Sequence, residues 1–314
     1  MKQLTVSSSP HIRSNASTNR IMLDVIIALL PASIAGIVIF GWRALLVLSL
    51  TVASAVLAEF IFNLIVKKEQ TIGDLSAVVT GLLIGLNVRA DAPIWQCVLG
   101  AVFAIVVVKC FFGGLGCNFA NPAITGRIFM MICFAATIGG GTQLITNDAG
   151  EKVFISSATP LYNMQNGGEL PSLLDMFLGD YGGAIGETCT IALIIGFVYL
   201  VVRRVINVEI PLIFVGTVFV FSLIVDNSFS TALYHVLGGG LILGAVFMAT
   251  DYVTTPITRS GKMIFAFGAG LITYLIRSFG NYAEGVSFAI LIMNIVSPYI
   301  EKWTAKRPLG GNVK

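Results

Sequence analysis

Few side chains in this sequence could do chemistry, and most of them stand alone. His11 and His235 are lone, and neither suggests a metal site. Five cysteines, Cys97, Cys110, Cys117, Cys133 and Cys189, are scattered without a CxxC pair, so no zinc or iron–sulfur ligand set is signalled. Four of them lie in apolar runs and read as small buried hydrophobes. Cys117 falls in a glycine-rich loop. There is no phosphate-binding loop and no serine–histidine–acid arrangement. Three features remain: a polar stretch at 154–164, "FISSATPLYNM"; a loop at 111–123, "FFGGLGCNFANPA"; and the acids Asp24, Glu59 and Glu187 inside apolar runs, with Lys109, Arg127 and Asp251 near their ends.

Each feature has a plain reading and a functional one. In the loop, Gly113, Gly114 and Gly116 permit positive φ and close backbone approach, Asn118 and Asn121 can cap amides, and Pro122 suits the first turn of a helix. That loop either caps a helix or lines a cofactor or ion path. The Asn-Pro-Ala triplet occurs once, whereas aquaporin-type channels carry it in each half, so a water channel is not indicated. Charges in hydrocarbon cost about 2.5–3.5 kcal/mol even on the lenient insertion scale, so they face cavities or partners. Glu59 is the deepest; Asp24 and Glu187 lie about one turn inside the membrane faces and could snorkel or cap. In "SSATP", Ser156 and Ser157 can cap a turn and Pro160 holds Thr159 extended. A threonine hydroxyl without a nearby base is a poor nucleophile, so any modification of Thr159 would be installed by another enzyme.

The elements that must carry these groups follow from composition. Of 314 residues 56% are hydrophobic and 11% charged, against about 25% charged in soluble domains. Most of the surface must therefore face lipid, and no basic cluster with interleaved aromatics points to nucleic acid. Apolar runs near the roughly 20 residues needed to span a bilayer fall at about 21–40, 43–66, 76–90, 94–112, 122–138, 184–202, 210–226, 232–250, 262–277 and 285–301. The third is short, glycine-rich and followed by Pro93, so it could be broken or re-entrant. With the N-terminus inside, the outer side collects only Arg43, Arg89, Lys152 and Arg277 of the 19 Lys and Arg, which satisfies the positive-inside rule. The polar N-terminus lacks the plan of a signal peptide and reads as a cytoplasmic tail.

The expected architecture is an all-α polytopic membrane protein of about ten transmembrane helices with both termini cytoplasmic. It divides into a tail at 1–20, five helices at 21–138, an extracytoplasmic loop at 139–183, five helices at 184–301 and a tail at 302–314. Weak internal similarity ("VVTGLLIGLNV", 78–88, with "LGGGLILGAVF", 237–247; and 110–124 with 277–291) suggests two five-helix repeats. An odd number of spans per repeat makes them inverted, and inverted repeats place binding sites at their interface.

Several segments together resemble one family. "SSATPL", "GDLSAVVTGLLIGLNV", "GGLGCNFANPA" and "FMATDYVTTP" (247–256) are similar to segments of the flavin-bearing membrane subunits RnfD, of Rnf complexes, and NqrB, of the sodium-pumping NADH:quinone oxidoreductase. The resemblance covers about 20–300, and the short polar N-terminus is more like the Rnf subunit. It implies an FMN joined through a phosphoester to Thr159 by an extracytoplasmic flavin transferase, with Ser156, Ser157, Ala158 and Pro160 completing the motif. Ser157 stands where glycine is usual, and Phe154 and Ile155 stand where an acid is common. A non-covalent riboflavin is also implied, with Gly113, Gly114, Asn118 and Asn121, or the repeat interface, as its contacts. The implied role is a multi-pass subunit in the cytoplasmic (inner) membrane. It would work with other membrane, iron–sulfur and flavin subunits, relaying electrons between ferredoxin and NAD coupled to Na+ or H+ export. The alternatives are a stand-alone transporter or channel of urea-channel-like fold, a quinone-reductase subunit, and a scaffold without its flavin.

Overall fold

Local chemistry sets the ends of the apolar runs before any packing. The computed structural model describes residues 17–146, 152–280, 282 and 284–305. Ser17 accepts from the Arg20 amide and starts α1 (Thr18–Phe40); Gly41 then turns the chain into α2 (Trp42–Val66). After α3 (Ser76–Leu86) come α4 (Ile94–Phe103), which continues through a wide π-type stretch to Cys110, and α5 (Pro122–Cys133). Asn121 caps α5 from its side chain, with Pro122 in the first turn, where its missing N–H costs nothing. A single turn, α6 (Ala135–Ile138), leads to strands β1 (Gly141–Thr146) and β2 (Lys152–Ser157), then to α7 (Pro160–Asn166) and α8 (Leu173–Leu178). The second half holds α9 (Thr190–Val202), α10 (Glu209–Asp226), α11 (Phe229–Leu237), α12 (Leu241–Leu243) with a π-type continuation to Met248, α13 (Arg259–Phe279) and α14 (Val286–Thr304).

Every one of the ten apolar runs carries helix, but fewer are spans than continuous runs would give. Among the described residues, 4 helices (α1, α2, α10 and α13) are long and apolar enough to cross a membrane, and a fifth span results if α11 and α12 are taken together across their 59° bend. α3, α4 with its continuation, α5 and α9 are shorter. The physical reason is visible at 86–90 and 184–189, where the expected helices are unwound. There the Ile185 amide donates to Val88 O (3.0 Å) and the Gly186 amide to Leu86 O (2.7 Å), so two irregular stretches satisfy each other's backbone away from water. The second departure is β structure in an expected all-α chain. β1 and β2 pair antiparallel, Gly141 opposite Ser157 and Thr146 opposite Lys152.

α1 packs on α9, α2 on α3 and α4, α10 on α11 and α13, and α13 on α14. Buried alanines such as Ala28, Ala44, Ala55, Ala101, Ala104, Ala266 and Ala269 let these helices approach closely. Val38, Trp42, Ile65, Val202 and Ile224 point outward, as lipid-facing side chains do. α1 ends and α2 begins at the end of the bundle that carries the hairpin. Glu59 and Lys109 therefore lie toward the opposite end.

Candidate functional site

Thr159 is the residue on which the hairpin end converges. It follows β2 directly, precedes Pro160 with extended backbone (ψ 153), and caps α7 by accepting the Tyr162 amide on Oγ1 at 3.3 Å. The motif is not an exposed turn: Thr159 is only 3% exposed and Pro160 is buried, while Ser156 and Ala158 are at the surface. Thr159 lines a cavity of about 360 Å³ together with Asn87, Arg127, Met131, Tyr162, Tyr282 and Glu284, among others. That volume falls within the range of small-molecule pockets, about 300–1,000 Å³.

A guanidinium fixes the strand that delivers Thr159. Arg89, in the unwound segment after α3, donates to Thr142 Oγ1 (2.9 Å) on β1, Ser156 Oγ (3.2 Å) on β2, Gly139 O (2.8 Å) and the Asp91 carboxylate (2.6 and 3.0 Å). Asp91 also accepts from Thr142 (2.5 Å). Burial alone would raise the Asp91 carboxyl, but its bonds to Arg89 and Thr142 and the Arg89 charge hold it below the usual carboxylate range. Ser157, where the resemblance leads one to expect glycine, is accommodated by glycine across the fold. A Cβ at Gly182 would run into the Ser157 hydroxyl, so the side chain gained at 157 is matched by one absent at 182.

Behind the cavity lies a buried charge cluster. Arg127 of α5 donates to Asn87 Oδ1 (2.5 Å) and pairs with the Glu284 carboxylate. Arg277, fully buried near the end of α13, donates to the carbonyls of His235, Gly238 (3.1 Å) and Gly239 (3.1 Å), closing the orphan groups at the break between α11 and α12. Glu187 Oε1 accepts from the Ala184 amide (3.0 Å), and its buried Oε2 has no hydrogen-bond partner. Gly240, at φ 62°, makes the room here: a Cβ would sit 3.2 Å from Glu187 Oε2 and 3.5 Å from Arg127 Nη1. Glu187 thus neither snorkels nor caps a helix.

The other expected contacts sit at the opposite end. Asn118 and Asn121 line a narrower cavity of about 100 Å³ with Lys109, Ser76, Thr250 and Asp251. Asn118 donates to Ala120 O (2.9 Å) and Asn121 to Met248 O (3.2 Å). Gly113 and Gly114 adopt positive φ but are not among the lining residues. The structure therefore does not bring the loop glycines to the threonine motif. The residues that sequence reasoning missed at Thr159 are Asn87, Tyr162, Tyr282 and Glu284. Arg127 was noted only as a charge near a span end, although a lone cation in "ITGRIFMMI" demands a buried partner.

A family model described as the NQR2, RnfD, RnfE family matches residues 5–310. The chain belongs to that family. It is 44% identical over 311 residues to the RnfD-type subunit of the Na(+)-translocating ferredoxin:NAD(+) oxidoreductase complex of Acetobacterium woodii, covering 98% of this chain and 95% of that one. It is 38% identical to the corresponding subunit of the proton-translocating ferredoxin:NAD(+) oxidoreductase complex of Clostridium ljungdahlii (96% and 94% covered). Against the equivalent subunit of the ion-translocating oxidoreductase complex of an Escherichia coli strain, identity is 33% (97% and 98% covered). The first two relatives differ in the ion their names carry. Family membership and apolar helices together make this a membrane protein.

Proposed function

We propose that this chain is the RnfD-type subunit of an ion-translocating ferredoxin:NAD+ oxidoreductase complex, carrying FMN as a phosphoester on Thr159 and passing electrons between partner subunits. The observation that carries this reading is the cavity, which has the Thr159 hydroxyl in its wall. A group esterified at Oγ1 has a hollow of adequate size beside it, with Tyr162 and Tyr282 as aromatic faces, Asn87 as a hydrogen-bonding group and Arg127 as a fixed positive charge. The residues fit a flavin, which when bound would supply electron transfer in one- and two-electron steps. The chain itself holds the site: Arg89 fixes the strand, α7 orients the threonine, and the α5 cation sets the field in the cavity. Attachment has to reach a threonine that is buried in the folded state, so the transferase would act while the hairpin is lifted or before it docks.

The hairpin end is the extracytoplasmic face of the inner membrane, as the charge distribution requires, and the ten helical segments form two inverted five-helix repeats. Pairing of polar groups supports the repeat. In the first half Glu59 of α2 meets Lys109 at one end; in the second, Asp226 of α10 meets His235 of α11 (3.6 Å) and Tyr274 of α13 (3.5 Å) at the other. Other Rnf-type membrane, iron–sulfur and flavin subunits are the electron partners, and a flavin transferase is the maturation partner. A non-covalent riboflavin belongs at the opposite cavity and requires it to widen from about 100 Å³.

Expression with a flavin transferase, followed by a denaturing gel viewed under ultraviolet light, tests the attachment. A fluorescent band is expected for the parent chain and a dark one for Thr159→Ala. A dark parent band, or a variant that still glows, would refute the assignment.

A further inference from the structure

Glu187 is a carboxylate that the electron-relay reading leaves without a task. It is 4% exposed, and one of its oxygens is buried without a hydrogen-bond partner. Such a group is costly to keep unless it has a use or a counter-charge. The surrounding elements supply the counter-charge: Arg127 from α5, Arg277 from α13 and Glu284 from the segment before α14. The remaining titratable neighbours are Tyr181, whose hydroxyl donates to the Glu187 carbonyl (3.1 Å), Cys189, and His235 of α11, whose carbonyl Arg277 holds. With both glutamates ionised, two cations balance two anions. The cluster is then neutral, and one negative charge added in the adjoining cavity unbalances it.

We propose that Glu187 is a proton-accepting residue that takes up one proton at Oε2 when negative charge is added in the Thr159 cavity, and releases it when that charge leaves. This rests on the reading of the cavity as a flavin site. The electron comes from a one-electron donor of the ferredoxin or iron–sulfur class. The proton comes from hydronium at the hairpin end, an O–H bond forming at Oε2 as one in hydronium breaks; both steps reverse on reoxidation. Glu284 lines the cavity and borders the Arg127–Glu187 layer, so it marks the route. A proton rather than a metal cation is the charge taken up, because a metal cation needs several oxygen ligands. The carbonyls at this break are held instead by the Arg277 guanidinium.

The test uses the full chain matured with its transferase, as parent, Glu187→Gln and Glu187→Asp. In-gel fluorescence comes first: a dark parent band defeats the flavin reading itself, independently of this proposal. With bright bands, potentiometric titration of the flavin absorbance at several pH values should show one proton fewer per electron in Glu187→Gln. For a one-electron step that is a slope smaller by about 59 mV per pH unit, a tenfold change in equilibrium per unit. Infrared redox-difference spectra should show a protonated-carboxyl band on reduction in the parent and in Glu187→Asp, and none in Glu187→Gln. Equal slopes in parent and Glu187→Gln would overturn the proposal. So would a parent without the carboxyl band, or a potential that follows Na+ concentration and ignores pH. Should Glu187→Gln fail to fold, the parent's carboxyl band and its shift in Glu187→Asp decide alone.

Discussion

The two ends of the bundle each bury ionised side chains against a cavity, and they treat them in opposite ways. At the end away from the hairpin, Lys109 Nζ donates to both Glu59 oxygens (2.8 and 2.9 Å) and to Ser76 Oγ (2.5 Å), while Thr71 donates to Glu59 at 2.6 Å and Asn63 to Thr71 at 3.0 Å. Those groups are bonded to each other, and the hollow beside them is about 100 Å³. At the hairpin end the hollow is about 360 Å³, and Glu187 Oε2, His235 Nδ1 and Arg277 Nε lack hydrogen-bond partners. A saturated ion pair is a fixed structural joint, because moving either charge strands the other. An unsaturated carboxylate beside a roomy cavity can change its protonation without breaking a bond.

The largest effect should come from breaking the saturated pair. Lys109→Met leaves Glu59 buried without its cation and should cost about 3–5 kcal/mol, whereas Lys109→Met combined with Glu59→Leu should recover most of that loss. Thermal unfolding of the detergent-solubilised protein measures both. Glu187→Gln should change the same midpoint far less, since its Oε2 makes no bond to lose. If Glu187→Gln proves as damaging as Lys109→Met, the contrast between the ends is wrong.

Next in size is Arg89→Ala, which removes a charged donor from both strands and should loosen the hairpin by about 1.5–3 kcal/mol. Faster limited proteolysis between 139 and 159, with the helical bundle left intact, is the expected signature. Gly182→Ala should cost about 1–3 kcal/mol through collision with Ser157, and the loss should disappear in a Ser157→Gly background. Persistence of the loss in that background would mean that Gly182 is needed for something other than Ser157.

The smallest effect is a pH dependence confined to the hairpin. Because the folded state holds Asp91 below its unfolded value, its contribution is present above the ordinary carboxylate pKa of about 3.9 and is lost as pH falls through the lower folded value. Hydrogen exchange of the hairpin amides should be unprotected only below that range. Asp91→Asn should flatten this dependence.

The legible part of this protein was its lipid-facing character and the segments that become helices. Apolar runs of the right length identify buried or lipid-facing elements wherever they end up, and Asn121, Pro122, Ser17 and Gly41 mark their ends by local bonding alone. The hairpin was missed because "GTQLIT" and "KVFISS" are short and mixed, and the pairing that makes them strands is with each other and with Arg89, far away in sequence. The unwound stretches at 86–90 and 184–189 were read as helix because they are apolar, whereas their backbone bonds run between halves of the chain.

By itself, then, the sequence determined that the chain is a membrane protein, where its helical segments fall, and that "SSATP" matches a family motif; each rests on composition or on neighbours within a few residues. Only the tertiary structure decided that Thr159 faces a cavity, that Arg127, Glu284 and Glu187 gather behind it, and that Ser157 is matched by Gly182. Those groups come from α5, the segment before α14, the segment before α9 and the hairpin. Their meeting depends on how the helices pack, which no local stretch of residues encodes.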